Sequence, residues 1–296
     1  MSTKSSQLLS PELLAQLERL ELVSRKIFRG RMKGERRSKR KGQSVEFADF
    51  RNYVAGDDLR FIDWNLYARL DKLFLKMFLE EEDLHFYALI DDSLSMKFGT
   101  PTKFEYAKQL AAALGFIGLC RADRVRVEAM NQDLQAPAPI LRGRHSLWRL
   151  TEYLEGIQAG EGVPLVDGIK NFCLRNSGKG ILVLISDLMD KQGFESAFRF
   201  LLAQQMDVYV IHLFSPEELD PEVQGDLRLI DCEDGDAAEI TVSRPLLDRY
   251  RRTVATFVDS AREYCTRRGM AYLMTNTHVP VEQLVSSYLR QRGLVR

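Results

Sequence analysis

The chain lacks a net charge. Its 296 residues hold 42 Lys and Arg against 42 Asp and Glu. It is also poor in cysteine, with Cys120, Cys173, Cys232 and Cys265, no two of them close in sequence. That excludes a CxxC redox pair, a zinc-ribbon spacing and a small disulfide framework. Cys120 sits in an apolar helical run and reads as packing. No run of 18 apolar residues occurs, so no membrane-spanning helix is expected. The stretch Met1–Leu22 has no apolar signal core, and the expectation is a soluble, reduced, cytoplasmic protein. HExxH and GxSxG are absent. Gly178-Lys179 lacks the Walker A spacing and its following Ser or Thr, so ATP binding is not expected. No internal repeat is present.

What remains is ordinary globular composition, 45% hydrophobic and 28% charged. It excludes a wholly disordered, collagen-like or histone-like chain. The length suits one large domain or two smaller ones.

The neutrality conceals two opposed blocks. Between Arg25 and Lys41 lie Arg25, Lys26, Arg29, Arg31, Lys33, Arg36, Arg37, Lys39, Arg40 and Lys41, opposed only by Glu35. Gly30, Gly34 and Gly42 argue against a rigid helix there. Three readings stand: a solvated arm, phosphate contacts to nucleic acid, or docking to an acidic protein or anionic membrane surface. Phe28 is its lone aromatic, which disfavours a single-strand stacking platform. Between Pro216 and Val242 the sign reverses, with Glu217, Glu218, Asp220, Glu222, Asp226, Asp231, Glu233, Asp234, Asp236 and Glu239 against Arg228.

Apolar patterning sets the fold class. Ser10-Pro11-Glu12 opens a helix. Leu73 to Leu79 alternates like a strand. Buried strands are expected at His85–Ile90, Gly180–Ser186 and Val208–Phe214, with shorter ones at Val125–Ala129, near Ile140 and at Ala271–Met274. Helices are expected at Phe104–Leu119, Ser146–Leu154, Val166–Leu174, Phe194–Gln204, Leu246–Arg267 and Val281–Arg292. Leu227–Ile230 and Glu239–Val242 flank Asp234-Gly235 as a β-hairpin. The alternation predicts a doubly wound α/β fold with a mostly parallel sheet. The expected division is 1–80, a helix, the basic segment and an aromatic-rich segment packing on the main domain, and 81–296, the α/β domain with an acidic hairpin insertion at about 216–243.

From Ser44 to Leu70, aromatic rings and charges interleave. The rings call for burial, and the charges then need partners. Arg51, Asp57, Asp58, Arg60, Asp63 and Trp64 are read either as a buried charge network that fastens this segment to the sheet or as a partner-facing surface.

Two buried strands end in carboxylates, Asp91 and Asp187. Ligands of open α/β sheets bind beyond such strand ends. Asp91, Ser93 and Ser95 form a D-x-S-x-S pattern whose hard oxygens suit Mg²⁺ or Mn²⁺, with Asp187 holding a coordinated water. The plainer reading is a helix cap or Asx-turn. His85 and His212 lie in apolar strands and are expected to be satisfied core histidines.

Ala88-Leu-Ile-Asp-Asp-Ser-Leu-Ser-Met96 resembles the metal-ion-dependent adhesion site of von Willebrand factor A domains. Gln43 to Arg69 resembles the long signature of the bacterial "domain of unknown function 58" family, as do Lys76–Glu82 and the Tyr250–Gly269 helix. The resemblance runs over nearly the whole chain. It implies a von Willebrand A-like fold, no catalytic activity, and a chaperone-like partnership with a MoxR-type AAA+ ATPase. One position departs. Val163, in Glu161–Leu165, stands where the adhesion site carries a threonine, so one oxygen ligand is lost and the metal site is expected to be weak or absent. Asp167, a turn further on, is either a compensating ligand or a solvated helix residue.

The function expected is therefore a non-enzymatic interaction module that binds a MoxR-type ATPase or its client. The alternatives are a metal-dependent hydrolase using Asp91 and Asp187, for which no convincing lysine is visible, and nucleic-acid binding through 25–41.

Overall fold

The computed structural model describes residues 8–24, 46–79, 84–131, 138–160, 162–176 and 179–296. The basic run at 25–41 lies outside the described residues. The chain divides into two units, Met1–Arg31 with Leu84–Arg296, and Met32–Asp83. This boundary differs from the one expected at 80/81. Helix α1 (Pro11–Leu17), capped by the Ser10 hydroxyl accepting the Leu13 N–H at 3.2 Å, belongs to the larger unit. Its Leu13 and Leu17 sit in that unit's core.

The smaller unit pairs β1 (Glu46–Asn52) with β2 antiparallel, separated by a 3₁₀ turn at Leu59–Phe61 and helix α2 (Trp64–Leu70); β2 is Phe74–Leu79. Each carboxylate here does a local job. Asp57 accepts both Arg51 guanidinium N–H groups, at 2.7 and 2.8 Å, and the Val54 N–H at 2.9 Å. Asp58 caps the 3₁₀ turn and pairs with Arg60 at 2.6 Å. Asp63 caps α2 through the Asn65 and Leu66 N–H groups and pairs with Lys76 at 3.1 Å. The expected buried network is met only in part: Asp63 is buried and Asp57 and Asp58 are half-buried. Arg60 is 81% exposed, and Trp64, which was expected to need burial, is 60% exposed beside exposed Phe61 and Tyr67. Turn and cap geometry leaves the Arg51, Arg60 and Lys76 side chains exposed, so their pairs contribute little to stability.

The larger unit continues through β3 (His85–Ile90), α3 (Lys103–Cys120), β4 (Arg124–Ala129), α4 (Leu147–Gly156), α5 (Leu165–Arg175), β5 (Gly180–Ser186), α6 (Glu195–Ala203), β6 (Met206–Phe214), α7 (Pro216–Leu219), β7 (Asp226–Ile230), β8 (Ala237–Thr241), α8 (Arg244–Arg267), β9 (Ala271–Asn276) and α9 (Val281–Gln283). A π-helical stretch, Leu284–Leu289, follows α9 where a continuous helix was expected. The sheet order is β4-β3-β5-β6-β9, parallel throughout. Near Ile140 the expected strand reduces to one antiparallel bridge between Val125 and Leu141. Among the described residues, no helix is long and apolar enough to cross a membrane.

Alternation along β3 builds both cores. Phe86, Ala88 and Ile90 join the cluster with α1, α3 and α4; Tyr87 and Leu89 join the one with α5, α6 and α8. This is the doubly wound α/β arrangement expected from the sequence. The chain leaves β3 for β4 on one side and returns to β5 on the other. The crevice between the β3 and β5 ends is therefore the topological switch point, where open sheets bind ligands.

Candidate functional site

Asp91 and Asp187 emerge from β3 and β5 at this switch point. The strands pair up to Ile90↔Ile185, and the Asp91 N–H donates to the Ile185 carbonyl at 2.9 Å. The Asp91 carboxylate is buried. Its Oδ1 accepts the Ser93 N–H at 3.0 Å and its Oδ2 accepts the Ser186 hydroxyl at 2.5 Å. Burial first, and then the Asp187 carboxylate, push its pKa up to about 6, against the hydrogen bonds from Ser186 and Ser93.

The hydroxyls of Ser93 and Ser95 converge, with Oγ atoms 3.0 Å apart and both side chains half-buried. The loop holding Val163 does flank them. The Gly160 N–H donates to the Asp92 carbonyl at 2.9 Å. Gly162 lies so close that a Cβ there would meet the Ser93 Cβ at 2.9 Å and its Cα at 3.0 Å. Glycine is required by that approach. Val163 itself packs against the apolar cluster under α5 and α6.

Asp187 is 1% exposed. Its Oδ1 accepts the Met189 N–H at 3.1 Å, and its Oδ2 accepts the Lys103 ammonium at 2.7 Å. Lys103 opens α3 within a capping box built by Thr102 and Glu105, and its side chain is wholly buried. A cation at a helix N-terminus opposes the dipole, so the helix gains nothing from it. Its second partner is the Glu218 carboxylate. Glu218 also accepts the Ser215 N–H at 2.7 Å in the capping box of α7. Burial alone lowers the Lys103 pKa, but Asp187 and Glu218 outweigh it and hold the ammonium above its ordinary value.

His212 is the satisfied core histidine its apolar strand called for. Its Nε2 lies 2.8 Å from the Asp187 carbonyl and therefore carries the proton; Nδ1 accepts the Tyr272 hydroxyl at 2.7 Å. Burial drives its pKa down to about 4.

These groups do not fit a resident Mg²⁺ or Mn²⁺. An octahedral ion needs convergent oxygens at about 2.0–2.1 Å. Both Asp187 oxygens are engaged, one by an ammonium; both Asp91 oxygens are engaged; Val163 offers none. Two neutral hydroxyls remain, bonded to each other. Among the described residues, no group of three or more His, Cys, Asp or Glu side chains is arranged to hold a metal. Sequence reading missed Lys103, Ser186 and Glu218. The visible signal for Lys103 was a charge in the first turn of a helix otherwise rich in Ala and Leu.

The profile of the family described as "Protein of unknown function DUF58" matches residues 49–263. The chain belongs to this family. A curated family relative, an uncharacterized protein of Mycobacterium tuberculosis (strain H37Rv), is 26% identical over 250 residues, covering 83% of this chain and 78% of its own length. An uncharacterized protein of Mycobacterium bovis (strain AF2122/97) matches to the same extent. Among solved structures, BatB from Bacteroides thetaiotaomicron is similar at 13% identity and a TM-score of 0.42, over 70% of this chain and 98% of that one. An aerotolerance-related membrane protein from Bacteroides fragilis is similar at 14% identity and a TM-score of 0.43, over 70% and 99%.

Proposed function

We propose that this member of the DUF58 family is a non-enzymatic protein-interaction module that docks a carboxylate of its partner at the switch point, in the manner of an adhesion site that no longer depends on a metal. The partner is a MoxR-type AAA+ ATPase or its client, as the family resemblance implies. The observation that carries the docking reading is the pair of half-buried hydroxyls on Ser93 and Ser95, 3.0 Å apart on the loop that leaves β3. Hydroxyl and backbone N–H donors suffice to hold a carboxylate. The buried ammonium offsets part of the negative charge of Asp187 and Glu218, and the hydroxyls do the holding.

A hydrolase reading lacked a lysine. Lys103 now stands at the strand ends, but it is shut between two carboxylates with no exposed surface. Asp91 and Asp187 are both buried and hydrogen-bonded through both oxygens.

The test is binding of the purified chain to its MoxR-type ATPase, followed by interferometry with Mg²⁺ and with EDTA. Ser93→Ala/Ser95→Ala should weaken binding by at least roughly tenfold, the loss of hydrogen bonds to a charged group. EDTA should change nothing. Binding that survives the double substitution removes the docking site. Turnover of p-nitrophenyl phosphate that Asp91→Ala abolishes would make the chain an enzyme instead.

A further inference from the structure

A cavity of about 300 Å³ lies in the larger unit where β9 ends, at the small end of the range for ligand pockets. Its walls are apolar. Leu8 and Leu13 come from the start of α1, Tyr106 from α3, and Val279 and Val281 from the segment that enters α9. All five belong to the core cluster around α3 or pack against it. The Tyr106 hydroxyl donates to the Val279 carbonyl at 2.7 Å, which ties two walls together. These side chains are held by the fold, so the cavity is preformed.

The polar lining is not satisfied by the fold. Thr277 directly follows β9, and its N–H donates to the Phe214 carbonyl at 3.0 Å. The residue is 4% exposed, and its buried hydroxyl has no hydrogen-bond partner among the described residues. Such a group costs stability that a ligand would recover. Gln109 and Glu282 line the same cavity. Both are half-buried, and neither side chain makes a hydrogen bond or ion pair among the described residues. No Lys, Arg or His lines the cavity, so Glu282 gives it a negative charge. From Glu282 the chain runs on into the π-helical turn at Leu284–Leu289, a geometry frequent at functional sites.

We propose that this cavity binds a primary alkylammonium group. An ammonium carries three N–H donors and no acceptor. The Glu282 carboxylate, the Gln109 amide oxygen and the Thr277 hydroxyl all accept, and the leucine and valine walls suit a methylene stem. An anionic ligand would meet Glu282 with like charge, and a wholly apolar one would desolvate three polar groups without return. Asp91, Ser93, Ser95 and Asp187 do not line this cavity, so it stands apart from the docking site.

Methyl NMR of Leu13, Val279 and Val281 in the full chain reads occupancy. n-Butylammonium chloride and Nα-acetyl-lysine methylamide should each shift these signals saturably, with n-butanol and sodium butyrate at least roughly tenfold weaker. Thr277→Val and Glu282→Gln should each weaken ammonium binding by at least roughly tenfold. Without ligand, Thr277→Val should leave Tm unchanged or raise it, because it keeps the shape and removes an unsatisfied group. A lower Tm would show that the hydroxyl serves the fold through an ordered water, and would overturn its role toward a ligand. Absence of saturable shifts with both amines overturns the site. Equal binding of n-butanol overturns the ammonium assignment, and binding that survives both substitutions places the amine elsewhere and overturns it as well. Tighter binding of the lysine derivative supports the site as a seat for a partner's lysine, and tighter binding of butylammonium supports it as a seat for a free amine.

Discussion

Lys103→Met is the sharpest perturbation of this molecule. It keeps the bulk of a wholly buried side chain and deletes the ammonium that Asp187 accepts at 2.7 Å and Glu218 shares. Breaking a buried ion pair by removing one partner costs about 3–5 kcal/mol, because the other charge stays behind unpaired. Here two carboxylates stay behind, so the upper end applies. At about 2–4 °C per kcal/mol for a unit of this size, Tm should fall by roughly 10 °C or more. Calorimetry and urea unfolding both read it. Glu218→Gln and Asp187→Asn in the Lys103→Met background should restore most of the loss, since a neutral polar cluster carries no unpaired charge. A double-mutant cycle of Lys103→Met with Glu218→Gln should give a coupling above about 1 kcal/mol. The same variant leaves two carboxylates facing a vacated cation position, so it should take up Mn²⁺ measurably by electron paramagnetic resonance while the wild type does not. A loss below about 1 kcal/mol with no coupling would refute the reasoning that Lys103 neutralises Asp187 and Glu218 in the core.

Other outcomes follow from the same site. His212, with its pKa lowered to about 4, should lose about 3 kcal/mol of stability as pH falls from 6.5 to 4, because the native state resists the proton the unfolded chain accepts. Asp91, raised to about 6 from 3.8, runs the other way: its penalty is full above pH 6 and relieved toward pH 4, again by about 3 kcal/mol. The two contributions nearly cancel, so Asp91→Asn should unmask a decline between pH 6.5 and 4 in urea titrations; matching wild-type and variant profiles would sink this account. Gly162→Ala should displace the Ser93 loop, with which its Cβ would collide at 2.9 Å, and weaken ATPase binding several-fold with little change in Tm. Equal binding by that variant would show that the loop has room to give.

The sheet was legible because its strands carry their own pattern. Gly180–Ser186 is apolar throughout and buried throughout, as a central parallel strand must be. Asp91 and Asp187 were legible for the same reason, as polar stops on apolar runs. Lys103 was not, because the partners of a buried charge are set by tertiary placement. Asp187 and Glu218 lie 84 and 115 residues away from it. Sequence spacing does not register such distances. The Asp57–Trp64 cluster misled in the opposite sense. Its carboxylates looked like long-range ties, yet Asp58 and Asp63 cap the turn and the helix that follow them, a role that short-range rules for aspartate already allow.

The neutral total charge gains a physical meaning from these placements. The acidic segment at 216–242 is not a bare face waiting for a polycation. Lys103, Lys191 and Arg251 engage it from the start of α3, the loop after β5 and α8. These three cations differ in kind. Lys103 is buried and permanent, and removing it costs stability. Lys191 and Arg251 are exposed, so their pairs contribute little and yield to salt. The root of the segment, at Glu218, is pinned to the core, while its tip, at Asp231–Asp236, is held by exposed pairs to Lys191. Charge in this chain is therefore graded by burial, strong where the fold must hold and weak at the surface.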